Sequence, residues 1–378
     1  MKITDVELWC VDYPLKHTFY PSWLPNYPQN SHRLTLIRIN TDEGIKGISA
    51  APAFYKEYKE IASLIAPFLF GRDPFNVEEI IRILRNATYL GLRLWFIEVA
   101  LWDIIGKATN QPVYKLLGGF QNRIKAYAST GEVRDAKRRV EDVLRFKEEG
   151  FKAVKLRFHS LNIKDDLKTA EKVREAVGDE MEIMIDANQA WRVYGMGKFS
   201  EWTVKDAIFV AKELKNLDVK WLEEPLEKYN YAGLKELRES VDIPIAGGEM
   251  NSDIYEFRDL IKNRCYDIIQ PDVTMSCGIL NAKKIAGFAE MEHLQFCPHT
   301  WTNGIGLAAN LQIMGAVNNC YYAEFPYEIP AWTPEVRDFL LKEYIKIEKD
   351  GYINIPDKPG IGVEIDEDKL KKYGERSG

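Results

Sequence analysis

From residue 124 to residue 326, short apolar runs alternate with stretches of helical period, and this recurrence leaves few folds open to the chain. The runs are KAYAST, AVKLRF, EIMIDAN, VKWLEEP, IPIAGGE, DIIQPD, LQFCPH and YYAEFP. DAKRRVEDVLRFKEEG and DDLKTAEKVREAVG are two of the amphipathic stretches between them. Repeated βα units spaced roughly 25–35 residues apart build a parallel sheet, and about eight of them close a barrel. The expected fold class is therefore α/β, a TIM-type (β/α)7–8 barrel, with allowance for one missing helix.

The flanks follow other rules. Residues 1–123 begin as alternating strands, KITDVELWCVDYPL and RLTLIRINTDEGIKGISAAP, joined at a DEG turn. They continue as helical segments, YKEYKEIASLIAPFLFG, VEEIIRILRNATYLG and RLWFIEVALWDIIGKATN. An antiparallel sheet followed by helices indicates a separate α+β capping domain. Residues 327–378 hold short strand-like pieces among Pro/Gly turns and are expected to return to that domain and complete it. A chain of 378 residues has the length for a barrel and an accessory domain.

Composition narrows the function. The net charge of −6 speaks against a nucleic-acid partner, which favours a basic stripe. A small acid remains a compatible ligand, because a local cation reverses the field inside an acidic protein. The five cysteines form no C-x-x-C pair, so neither a disulfide framework nor a zinc site is expected, and Cys297 is read as packing. MKITDVELWC enters a strand directly, and no apolar run approaches the roughly 20 residues of a membrane span. The expectation is a cytoplasmic protein with no membrane partner.

Chemistry concentrates at the strand ends. Asp186, Glu223 and Glu249 each close an apolar run, and carboxylates at the C-terminal ends of successive barrel strands converge on one mouth. Three hard oxygen donors suit Mg²⁺. Glu224 is expected to turn away from Glu223, because consecutive strand residues face opposite sides. Lys155 and Arg157 share one side of their strand, as clamps for a substrate carboxylate or, for Lys155, as a base. Asp272 and His299 end adjacent runs, where a carboxylate fixes an imidazole as an acid/base. Asn188 is placed to touch substrate or a metal-bound water, and Glu324 to accept a hydrogen bond or, if protonated, to donate one.

The series Lys155-Leu156-Arg157, Asp186, Glu223, Glu249, Asp272, His299 and Glu324 resembles the enolase superfamily, in its mandelate racemase/muconate lactonizing group. The resemblance spans essentially the whole chain. It implies that Asp186, Glu223 and Glu249 bind Mg²⁺, with Mn²⁺ as a possible substitute, and that the ion stabilises an enediolate formed by α-proton removal from a carboxylate substrate. A Lys or His base with Mg²⁺ is the pattern of that superfamily. Asp272 and His299 resemble the group's His–Asp dyad, which favours mandelate racemase-like enzymes and acid-sugar dehydratases. Homo-oligomers are common in the family and are expected here.

One position departs from the pattern. Mandelate racemase-like members carry Lys-x-Lys with the second lysine as base, whereas here the second cation is Arg157. A guanidinium stays protonated. Dehydration of a sugar acid to a 2-keto-3-deoxy acid is therefore the leading expectation, catalysed by His299 and Asp272 with Lys155 and Arg157 as clamps. A racemase or epimerase of a 2-hydroxy acid is the runner-up, and a non-catalytic ligand-binding barrel is the rival of another class. In this family substrate choice falls to loops of the capping domain, here the segment from His17 to His32 and the APAFY segment. Trp23, Tyr27, His32 and Tyr55 either close over a polar ligand or pack the domain interface.

Overall fold

A computed structural model describes residues 1–52, 61–191, 198 and 200–377, whose strands fall into two sheets. The first begins with β1 (Ile3–Phe19), β2 (Gln29–Thr41) and β3 (Lys46–Pro52), paired antiparallel in sequence. The turn from β2 to β3 closes with Gly44 N–H donating to the Thr41 carbonyl at 3.1 Å. Gly44 takes φ +78°, which glycine adopts without a Cβ clash. The helices Val77–Thr88 and Phe96–Ala108 bury Ile80, Ile81, Leu84 and Ile97 with Ile37 and Ile39 of the sheet in one apolar core.

The second sheet is parallel and curls through β4 (Arg123–Ser129), β5 (Ala153–Arg157), β6 (Glu182–Asp186), β7 (Val219–Glu223), β8 (Ile245–Gly247), β9 (Ile268–Ile269), β10 (Gln295–Phe296) and β11 (Tyr322–Pro326). β11 pairs back onto β4, Tyr322 opposite Lys125. A helix follows each of the first seven of these strands, and β11 is followed only by the four-residue turn Pro334–Arg337. The helices are well punctuated. Asp135 caps Ala136–Glu149 by accepting from the Arg138 N–H, and Gly150 ends it at φ +118°.

Inside the curl, an apolar floor lies beneath a polar layer. Tyr127, Ala153, Met184, Trp221, Ala246, Ile268 and Cys297 form one buried cluster. Two residues further along their strands come Ser129, Lys155, Asp186, Glu223, Gln270 and His299. The period of two puts both sets on the inner face, one layer above the other. Cys297 belongs to the floor.

The C-terminal stretch touches both sheets. β12 (Tyr352–Asn354) pairs antiparallel with β4, and β13 (Gly374–Ser377) pairs antiparallel with β1. The stretch therefore does not return to the capping domain alone. Among the described residues no helix is long and apolar enough to cross a membrane.

His32 lies in the seam this creates. Its Nδ1 is 3.0 Å from the Val336 carbonyl, and its ring packs on Trp332 and Phe339. Burial lowers its pKa to about 4, against an opposing pull from the Val336 bond. Below pH 6.5 the unfolded chain therefore takes up a proton that the folded chain refuses, so stability falls as pH drops from 6.5 to about 4. The gap corresponds to about 3 kcal/mol. Urea unfolding of wild type and His32→Phe should show the wild type losing that much relative to the variant between pH 7 and pH 4. A constant difference across this range would mean that His32 is not held neutral.

Candidate active site

The three acids stand where the polar layer begins. One carboxylate oxygen from each of Asp186, Glu223 and Glu249 can be chosen so that all lie within 4.8 Å of one another. Asp186 and Glu223 are the last residues of β6 and β7, paired in register, and Glu249 lies in the turn after β8. Gly248 opens that turn at φ +123°. Burial raises the pKa of Glu223, with Asp186 and Glu324 adding to the rise and Lys155 opposing it. Burial likewise raises that of Glu249, with Glu223 adding and His299 opposing. Concentrated buried carboxylates of this kind are stabilised by a cation.

Lys155 is wholly buried beside them. Its Nζ lies 2.5 Å from Glu223, 2.8 Å from Glu324 and 3.6 Å from Asp186. Burial alone would lower its pKa, but these three carboxylates raise it well above the lysine range. With no ion on Glu223 and Asp186, these carboxylates favour its ammonium form.

Arg157 spans three strands. Nε donates to the Thr130 carbonyl at 2.5 Å, Nη1 to Asp186 and to Asn188 Oδ1, and Nη2 to Ser129 Oγ at 3.2 Å. Its guanidinium carbon lies 5.2 Å from the Trp23 ring centre and 5.8 Å from that of Trp301. Such cation–π contacts strengthen when the cation is desolvated.

Glu324 acts as an acceptor here. Ser129 Oγ receives hydrogen bonds from Trp301 Nε1 at 2.8 Å and from Arg157, so its own proton goes to Glu324 Oε1 at 2.7 Å. The Thr300 N–H donates to Oε2 at 2.6 Å. Burial would raise its pKa, but Lys155, His299 and Arg157 bring it down to about 2.

His299 and Asp272 form a dyad. Nδ1 lies 3.1 Å from Asp272 Oδ2, while Oδ1 accepts from the Thr274 N–H and hydroxyl and from Asn310. An ionised Asp272 only accepts, so Nδ1 carries the proton and Nε2 faces the acids, 3.5 Å from Glu249. Burial would lower the imidazole pKa, but Glu249, Glu324 and Asp272 raise it to about 10. A divalent ion against Glu249 would remove much of that field and bring the ring back toward neutrality.

The segment between β1 and β2 sits on this mouth. β1 runs on through Phe19 and β2 begins at Gln29, so much of the stretch from His17 to His32 is hairpin and only its tip is loop. Cross-strand pairing of Phe19 with Gln29 extends it. Ser22 Oγ donates to Asn188 Oδ1 at 2.9 Å, the Ser22 N–H to the Gly131 carbonyl, and the Tyr20 N–H to Glu132. Trp23 joins the mouth, Tyr27 is half exposed, and His32 lies in the seam behind, against Trp332, Phe339 and the Val336 carbonyl. Tyr55, with residues 53–60, lies outside the described residues.

Four contributors lacked an obvious sequence signal. Gln270 donates to Glu223 at 2.9 Å, and its place two residues before Asp272 could have revealed it by alternation. Ser129 ends its strand in the same way. Ser22 and Trp301 reach the site through contacts across more than 160 residues, which local pattern does not encode.

Comparison with known proteins places the chain in a family. Residues 15–118 match the mandelate racemase/muconate lactonizing enzyme N-terminal domain, and residues 137–369 match the enolase C-terminal domain-like family. The chain belongs to the enolase superfamily. Within it, the N-terminal match places the chain with mandelate racemase and muconate lactonizing enzyme. It is 30% identical to the D-galactarolactone cycloisomerase of Agrobacterium fabrum, covering 99% of both chains. It is also 30% identical to the arabinonate dehydratase of Saccharolobus solfataricus, over 73% of this chain and 70% of that one. The structure of the 3,6-anhydro-D-galactonate cycloisomerase from Zobellia galactanivorans superimposes with a TM-score of 0.83 at 31% identity, covering 99% of this chain and 100% of that one.

Proposed function

We propose that this enzyme removes the α-proton of a sugar acid and expels the β-hydroxyl, giving a 2-keto-3-deoxy acid. The observation that carries the reading is a single His–Asp dyad whose Nε2 faces three converging carboxylates. Asp186, Glu223 and Glu249 would hold Mg²⁺. When bound, the ion supplies fixed positive charge for a substrate carboxylate that becomes more negative as the proton leaves. Mn²⁺ presents the same charge to the same oxygen donors.

The chain's own residues perform the proton transfers. Nε2 of neutral His299 takes the α-proton, and Asp272 stabilises the resulting imidazolium. The electron pair of the broken C–H bond forms the Cα–Cβ double bond as the Cβ–O bond breaks. The departing hydroxyl takes the proton from His299 and leaves as water, and the enol tautomerises to the keto acid. Lys155 and Arg157 hold positive charge beside the acids throughout. Inversion at Cα would need a second base on the opposite face, and both cations on β5 are tied to carboxylates.

Names of the relatives support a second, allied reading. Two of the three proteins above are cycloisomerases, and a ring oxygen at Cβ can leave by the same electron flow as a hydroxyl. A stereochemically complete library of sugar acids and their anhydro and lactone forms, incubated with Mg²⁺ and semicarbazide, tests both. A keto acid lighter by one water means dehydration, and a keto acid isomeric with its substrate means ring opening. Inversion with α-deuterium uptake in D₂O and no keto acid would replace both by epimerisation.

A further inference from the structure

The hydrogen-bond ladder between β8 and β9 changes character at the mouth. In parallel strands the main-chain bonds recur every second residue, and here the Gln270 N–H donates to the Gly247 carbonyl at 3.0 Å. The next bond of that series would run from the Asp272 N–H to the Glu249 carbonyl. Gly248 takes φ +123° between Gly247 and Glu249 and bends the chain out of strand geometry. Both groups are met instead by one side chain.

That side chain is Ser276. Its Oγ accepts from the Asp272 N–H at 3.1 Å and lies 2.9 Å from the Glu249 carbonyl oxygen. A hydroxyl has one proton and a carbonyl only accepts, so Oγ donates to Glu249. The absent ladder bond is thereby rebuilt with one hydroxyl inserted. Ser276 is fully buried, and its own N–H donates to the Asp272 carbonyl at 2.7 Å. It sits in a wide turn, Val273–Cys277, closed by the Gly278 N–H donating to the Val273 carbonyl at 3.1 Å. Turns of this π-helical pitch are rare and recur at functional sites. From the other side, Trp95 of the capping domain donates Nε1 to Ser252 Oγ at 3.0 Å, and Ser252 Oγ donates to the Ser276 carbonyl at 3.3 Å.

We propose that Ser276 is a positioning residue, whose hydroxyl locks the main chain of Glu249 to that of Asp272 and so sets how tightly the three acids hold a divalent ion. The inference rests on the metal reading above. Asp186 and Glu223 end strands that pair with each other, whereas Glu249 lies in a turn beyond its strand and needs another hold. Mg²⁺ demands near-ideal octahedral geometry, so a ligand free to drift costs affinity. Groups behind the direct ligands tune metal affinity by about 10- to 100-fold.

Isothermal titration of MgCl₂ into wild type, Ser276→Ala and Ser276→Cys, with thermal unfolding of each without metal, tests the assignment. Phe146→Leu, in the apolar core under the helix Ala136–Glu149, serves as a variant destabilised away from the acids. Ser276→Ala is expected to bind Mg²⁺ at least about tenfold more weakly. Ser276→Cys, whose thiol is a weak donor and a weak acceptor, should also bind more weakly than wild type. Phe146→Leu should melt earlier and bind as wild type does. Wild-type affinity in Ser276→Ala would overturn the proposal, and so would an equal loss in Phe146→Leu, which would make the effect one of general stability. Should Ser276→Ala not fold, wild-type affinity in Ser276→Cys would overturn it in the same way. If wild type itself bound no Mg²⁺, the metal reading would fall, and this inference with it.

Discussion

His299→Asn is expected to lower turnover by at least about a thousandfold, because in the proposed reaction one side chain would both remove the α-proton and return it to the leaving group. Asparagine can still donate to Asp272 Oδ2, so the three hydrogen bonds that hold Asp272 Oδ1 remain. Its amide does not titrate near neutral pH. Mg²⁺ affinity should stay within a few-fold of wild type, since Glu249 is approached by Nε2 only at 3.5 Å. The loss should extend to α-proton exchange in D₂O, placing the defect in the first step. Turnover within tenfold of wild type would remove the dyad from the mechanism.

Glu223→Gln is the second large effect. Glu223 accepts from Lys155, Trp221 Nε1 and Gln270 Nε2, and it is also one of the three converging acids. The amide loses the charge needed for the ion, so Mg²⁺ affinity should fall at least about 100-fold, the upper end of what groups behind a ligand achieve. Lys155 keeps Glu324 and Asp186. Removing one partner from a buried ion pair still costs about 3 kcal/mol, at the low end for such pairs. Denaturant unfolding and metal titration on the same preparation separate the two losses. A variant with wild-type turnover and no detectable bound metal would refute the site.

How much of this could be read from the chain depended on the range of the interaction. Asp186, Glu223 and His299 were legible because each follows a floor residue, Met184, Trp221 or Cys297, by the strand period of two. Glu224 stands outside the converging set of three acids, and it lies past the end of β7 at φ +44°, where the strand period no longer fixes its direction. The tip of the first hairpin was identifiable as a covering segment from its aromatics, but its contacts with Asn188, Gly131 and Glu132 were not. They are single hydrogen bonds between residues more than 100 positions apart. His32 shows the converse: a polar residue in a promising segment is held by ring packing against Trp332 and Phe339, a neighbourhood supplied by the far end of the chain. The return of the C-terminal stretch to the capping domain was legible in its short pieces and turns, but the strand that makes it, β13, had no local mark, since GERS has no apolar alternation.

The anchoring of that hairpin tip bears on speed. Lys155 and Asp186 are fully buried and His299 is 6% exposed, with Ser22 bonded to Asn188 and Trp23 over Arg157 at the hairpin tip. Entry past the tip would break these contacts, of which the cation–π contact with a desolvated guanidinium is the strongest, at about 2 kcal/mol. Segment opening of this kind takes microseconds to milliseconds. Where that opening is slower than the chemistry, the steady-state rate responds to solvent viscosity while proton exchange, once the substrate is inside, does not.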